Sequence, residues 1–137
     1  MATFQFELVS PEKLLLSRAV EMAVLPAAEG EMGVLPGHAP MIVALRGGVI
    51  TVREGGAESE RLFVPGGFAE VTPTRVTILA DEATPVAQLS KADAERRIAE
   101  CEKAYDEAAA EATPEKREVA MGRLLSARAM LAAAEAA

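Results

Sequence analysis

An α+β fold with strands first and helices last is what this 137-residue sequence predicts. Three observations predict it. Nine of the ten glycines and seven of the eight prolines precede Leu89, whereas 16 of the 49 residues from Leu89 onward are alanine. Before that break the apolar residues alternate with polar ones, as they do along half-buried strands. After it they recur at steps of three and four, as they do along one face of a helix. The change falls at 85–90 and divides the chain into units 1–86 and 87–137.

In the first unit Phe4, Phe6 and Leu8 alternate with polar neighbours, and Val20, Met22 and Val24 read as a further alternating set. Val49, Thr51 and Arg53 then oppose Ile50 and Val52, and strands follow at 61–64, 68–72 and 76–80. Gly55-Gly56 between two such runs is a hairpin signal, and Pro73-Thr74 marks another turn. Many short strands at close spacing, without a helical period between them, predict a sandwich or flattened barrel.

In the second unit Ala94, Ile98, Cys101, Tyr105 and Ala108 line one helix face, and Ser90 with Asp93 has the spacing of a capping box at its start. Thr113-Pro114 supplies a cap and a first-turn proline for a second helix, whose stripe is Ala120, Leu124, Ala127 and Leu131, flanked by Met121 and Leu125. A connection as short as 112–114 predicts an antiparallel hairpin. Its alanine seams bury little apolar area, so it needs the strands or a partner to hold it.

The composition excludes several function classes. A net charge of −7 argues against a nucleic-acid partner, because such proteins gain affinity by neutralising phosphates with Lys and Arg. With 4% aromatic residues and no Trp, stacking platforms for bases or sugars are nearly absent and the core is aliphatic. The single cysteine, Cys101, has no internal disulfide partner and suits a reducing compartment. The N-terminus has no basic segment followed by an apolar core, and no apolar run approaches the roughly 20 residues that span a bilayer, so neither a secretory signal nor direct membrane insertion is expected.

Candidate chemistry is sparse, and no catalytic, metal-binding or cofactor-binding set is expected. His38 is the only histidine, and without a second His or Cys nearby it reads as a turn-stabilising or partner-contact residue. Glu29 and Glu31 flank one glycine and read as a solvated loop tip or interface pair instead of an acid/base couple. Gly66-Gly67 follows a strand without the Gly-Lys-Ser/Thr of a phosphate loop, which leaves a tight turn or bulge. Lys116, Arg117, Arg123 and Arg128 form a cationic side of the last helix, either solvated or facing an acidic partner. Cys101 lies on the apolar stripe and reads as a small buried hydrophobe.

The run Gly30-Glu31-Met32-Gly33-Val34-Leu35-Pro36-Gly37-His38-Ala39-Pro40 resembles the epsilon subunit of bacterial F-type ATP synthases. Gly66-Gly67-Phe68-Ala69-Glu70-Val71, continuing to Val76-Thr77-Ile78-Leu79-Ala80-Asp81, and Leu8-Val9-Ser10-Pro11 extend the resemblance over essentially the whole chain. It implies a ten-stranded N-terminal β-sandwich followed by a two-helix hairpin. It also implies a non-catalytic central-stalk subunit that binds gamma, rests on the c-subunit ring and turns with the rotor. The location implied is the cytoplasmic face of a bacterial inner membrane, held there peripherally. Residue by residue, Glu31 is placed toward the c ring, and Ser10 and His38 toward gamma.

One departure changes what is carried over. Nucleotide-binding members of that family have Ile/Leu-Asp-x-x-Arg-Ala at the start of the first helix, where this chain has Leu89-Ser90-Lys91-Ala92-Asp93-Ala94. The acid has become Ser90 and the cation has become Asp93, which repels a phosphate, so ATP is not expected as a ligand. The family's inhibitory contact, a hairpin extended along gamma with its last helix against the alpha and beta subunits, would fall to Arg123 and Arg128. A nucleotide-sensing regulatory module is the alternative reading.

Overall fold

The computed structural model describes residues 2–110 and 114–136. Ten strands come first: β1 (Phe4–Val9), β2 (Leu14–Val20), β3 (Met22–Ala27), β4 (Gly30–Val34), β5 (Met41–Leu45), β6 (Gly48–Glu54), β7 (Ala57–Val64), β8 (Gly67–Val71), β9 (Arg75–Leu79) and β10 (Thr84–Pro85). A short 3-10 helix, Val86–Gln88, leads into α1 (Lys91–Ala110) and α2 (Pro114–Ala136).

The strands pair along one path, β10-β7-β6-β3-β5-β8-β9-β1-β2, with β4 on β3. The path crosses from β3 to β5 through the pair Ala27 and Leu45, and there it folds into two five-stranded layers, β4-β3-β6-β7-β10 and β5-β8-β9-β1-β2. The core between them draws on both, including Phe6, Leu8, Val76 and Ile78 from one and Leu25, Ile50, Val52 and Val64 from the other. The aliphatic sandwich expected from the sequence is thus the fold observed. Gly55 and Gly56, with φ of +60° and +80°, turn β6 into β7, as a two-residue hairpin loop requires. Thr72 and Arg75 close the turn at Pro73-Thr74 through Thr72 Oγ1 and three backbone groups, the Thr72 N–H and the Arg75 N–H and carbonyl.

The expected set Val20, Met22 and Val24 does not share one face. Val20 is buried, but beyond Glu21 the inward residues are Ala23 and Leu25, with Met22 and Val24 half-exposed. Glu21 breaks the strand because it is a corner: its N–H donates to Arg53 O at 2.9 Å, and its carboxylate accepts the N–H groups of Gly55 and Gly56 at 3.1 and 3.2 Å. A corner residue resets the period-2 phase. Glu31, read with Glu29 as a loop tip or interface pair, lies on strand β4, which pairs with β3.

On α1, Ala94 is buried and Ile98, Cys101 and Tyr105 are half-buried along the expected stripe. Cys101 is therefore less enclosed than expected. Ser90 Oγ accepts the N–H of Asp93 at 3.3 Å, while the Asp93 carboxylate takes Arg96 Nη2 at 3.0 Å, so the cap forms through Ser90. The cap at Thr113 and the connection around it lie outside the described residues, as does the side chain of Ala108. On α2 the buried face is wider than the expected stripe: Met130, Ala133 and Ala134 join Ala120, Leu124 and Ala127, while Leu131 is half-buried and Leu125 exposed. The width has a cause, since α2 packs against α1 on one side and β6 on the other. Phe63 leaves the sandwich core for a second cluster with Ala94, Met130 and Ala133, and that cluster seats the hairpin.

Candidate functional site

The three residues singled out for partner contact occupy different places. Ser10 follows β1 and is 9% exposed. Its Oγ donates to Lys13 O and accepts the Lys13 N–H, both at 3.2 Å, so the hydroxyl is used inside the turn to β2. His38 is half-buried, and its Nδ1 lies 2.8 Å from Ala39 O. A carbonyl only accepts, so Nδ1 donates and carries the proton. The His38 N–H closes the turn onto Leu35 O at 3.2 Å, and the Gly37 N–H ties that turn to Pro73 O at 2.8 Å.

Strand direction fixes the ends. β1 runs parallel to β9 from Gln5 beside Arg75 to Val9 beside Leu79. The His38 turn, tied to Pro73, therefore lies near the start of β1, and Ser10 lies at its far end, about 17 Å away at the rise of an extended strand. Glu31 is the second residue of β4, opposite Pro26, and is exposed; the tip of that hairpin is Ala28 and Glu29. The tip adjoins Leu45, whose partner on β8 is Gly67, so it shares the Ser10 end of the sandwich.

The sequence reading missed the exposed apolar residues. Leu14, Leu35, Met41, Ile42, Phe68, Leu79, Val119 and Leu125 all stand in solvent, Ile42 the most at 77%. Met41 and Ile42 line a groove of about 470 Å³ between β4 and β5, rimmed by Glu29 and Glu31. Phe68, Leu79, Val119 and Leu125 line a second, of about 880 Å³, between the sandwich and α2. Consecutive apolar residues such as Leu14-Leu15-Leu16 and Met41-Ile42 were the available signal, since a strand buried on one face cannot hide both of two neighbours. Such surface suits protein contacts better than small-molecule chemistry.

Ionic geometry around the hairpin is mostly local. Arg96 meets Asp93 and Arg97 meets Glu82, each at 3.0 Å, and Arg128 stands 3.9 Å from Glu102. Glu54 is held below the usual carboxylate range by its hydrogen bond with Ser59 first and by Arg18 second. Among the described residues no three His, Cys, Asp or Glu side chains cluster closely enough to hold a metal ion, and no helix is long and apolar enough to cross a membrane.

The family model for the ATP synthase Delta/Epsilon chain β-sandwich domain matches residues 3–86. An ATP synthase epsilon chain of Granulibacter bethesdensis is 54% identical, covering 98% of each chain. This chain belongs to the ATP synthase epsilon-chain family. The epsilon chain of Gluconacetobacter diazotrophicus is 47% identical over 98% of this chain and 94% of its own. As an epsilon chain the protein is an accessory part of ATP synthase, not its catalytic subunit. Among solved structures, a chain of the Euglena gracilis mitochondrial ATP synthase OSCP/F1/c-ring assembly superposes with a TM-score of 0.77 at 25% identity, covering 97% of this epsilon chain and 82% of that one. A chain of the Tetrahymena thermophila central stalk/c-ring assembly shares the fold, with a TM-score of 0.67 at 13% identity and 97% of each chain covered.

Proposed function

We propose that this epsilon chain is the non-catalytic central-stalk subunit that links gamma to the c ring as proton flow is coupled to ATP synthesis. The observation that carries the reading is the end-to-end match to epsilon chains, hairpin included. The solved relative from an F1/c-ring assembly supports the partners. Residues 1–86 supply the rotor contacts, with Glu31 toward the c ring and Ser10 and His38 on gamma-facing turns. Because Ser10 and His38 stand at opposite ends of β1, they mark two ends of a broad contact instead of one spot. Residues 87–137 are the regulatory element, with Arg123 and Arg128 available to acidic surfaces of the alpha and beta subunits. The complex sits peripherally on the cytoplasmic face of a bacterial inner membrane.

Two experiments test this reading. Tagged gamma should co-purify the chain, and adding the chain to the depleted enzyme should change its ATPase rate; turnover by the pure chain would refute it. In an intact coupled complex, Glu31→Cys should crosslink to a cysteine in the c-ring loop, and absence of that crosslink would reverse the orientation.

A further inference from the structure

The layer β5-β8-β9-β1-β2 is apolar on both of its faces. Its inner face gives Val43, Ala69, Ile78 and Leu8 to the core. Side chains alternate along a strand, so the neighbours of these residues point outward. Register sets the outward residues in two rows across the five strands. The row nearer Ser10 is Ala44, Phe68, Leu79, Val9 and Leu14, all apolar. Phe68, Leu79 and Leu14 in it are 57%, 48% and 56% exposed. The next row is Ile42, Glu70, Thr77, Glu7 and Ser17, and Ile42 at its end is more exposed than any of these.

A layer with one face in solvent ordinarily carries polar residues on that face. Here the outer face is apolar over a width of about 19 Å, four strand spacings. It lies between the Ser10 turn at one end of β1 and the His38 turn near the other. Contiguous apolar surface of this kind marks a contact with another protein.

One charge inside the face is uncompensated. Glu7 has Arg75 Nε at 3.8 Å, but among the described residues no cationic nitrogen lies within 4 Å of the Glu70 carboxylate. Glu70 is exposed, stands opposite Ile42 on one side and Thr77 on the other, and has Phe68 two residues before it on β8. A partner that covers Ile42 and Phe68 also takes water from Glu70. A desolvated carboxylate without a counter-charge opposes binding, whereas one met by a cation fixes register and rejects wrong partners.

We propose, resting on the central-stalk reading for gamma as the occupant, that gamma covers this outer face with an apolar surface and sets one lysine or arginine against Glu70. Ile42, Phe68, Leu79 and Leu14 supply the area, and Glu70 supplies the selectivity.

The test titrates the F1 sector of the ATP synthase, stripped of this chain, with the tagged full-length chain, read by biolayer interferometry. Ile42→Asp should weaken binding at least about tenfold, and Glu70→Lys at least about thirtyfold. Glu58→Lys, at an exposed position on β7 of the other layer, should leave it within about twofold. Glu70 makes no ion pair within the described chain, so thermal unfolding should show Glu70→Lys folded. Lysines and arginines of gamma are then reversed to glutamate one at a time. One reversal should weaken binding of the wild-type chain and bring Glu70→Lys back to within about threefold of wild type, a rescue that a purely structural defect would not show. Failure of the wild-type chain to bind the stripped sector would refute the central-stalk reading itself. Wild-type binding with Glu70→Lys unaffected, or with no gamma reversal that rescues it, would overturn the proposal alone. So would dimerisation of the free chain, seen by analytical ultracentrifugation, that Ile42→Asp abolishes without weakening binding to the stripped sector, since the face would then belong to a second copy.

Discussion

Gly67 lies against the Leu79 carbonyl so closely that a Cβ on it would stand 2.1 Å from that oxygen. Its φ of +136° also lies outside the range that L side chains favour. Gly67→Ala therefore has to part β8 from β9 at their first pair, Phe68 and Leu79, and expose the core beneath. We expect a loss of about 3 kcal/mol, read from urea unfolding of the purified chain.

Gly122 is the opposite case. It sits inside α2 on ordinary helical backbone, and a Cβ added there would meet nothing within 4 Å. Gly122→Ala should raise stability by about 0.5–1 kcal/mol through helix propensity alone, measured in the same unfolding experiment.

Truncation after Pro85 should leave a folded sandwich that still couples proton flow to synthesis, since the main core contains no described residue of either helix. It should also uncover Phe63, which is 3% exposed with the hairpin in place. The truncated chain should bind a hydrophobic dye such as anilinonaphthalene sulfonate, and Phe63→Ser should abolish most of that binding. A truncation that unfolds would show that the two units are not separable.

ATP should bind with a Kd no better than roughly 1 mM, which corresponds to about 4 kcal/mol. A phosphate at a helix start needs free N–H groups and a cation. Here Ser90 already accepts the Asp93 N–H, Asp93 adds negative charge, and the nearby Arg96 and Arg97 are paired with Asp93 and Glu82. Calorimetry on the isolated chain decides it, and a saturable micromolar site would favour the nucleotide-sensing alternative.

Glu54 gives the pH prediction. Its carboxyl is depressed in the folded chain by Ser59 and then Arg18, so the stabilisation it provides is present above the unfolded pKa and is lost as pH falls through the folded one. In a carbon-detected titration, Ser59→Ala should raise the Glu54 pKa toward its ordinary value of 4.5. Because the Glu54 side chain keeps about a third of its surface in solvent, which screens its pairing with Arg18, the acid unfolding midpoint should move only slightly.

Features that depend on period and local turn chemistry were legible along the chain. The strand-to-helix order, the inward set Phe4, Phe6 and Leu8, the Gly55-Gly56 and Pro73-Thr74 turns, the Ser90 cap and the α1 stripe from Ala94 to Tyr105 are of this kind, because residues within a few positions of one another create them. The motif around Glu31 was enough to suggest the family. Other features emerged only in the folded chain because their causes lie far apart in sequence. The phase reset at Glu21 depends on Arg53 and the glycines after it, and β4 exists because 30–34 can pair with β3. Met130 is buried because α2 has two neighbours, and Phe63 turns away from the sandwich core to meet it. The site residues show the same division: their types were legible, but their placement follows from which ends of β1 and β4 the fold brings together, putting Ser10 and His38 apart. Gly47 is the sharpest case, for nothing near it in the chain asks for glycine. Its requirement is the close approach of Ser126, a contact between packed surfaces that no local pattern encodes.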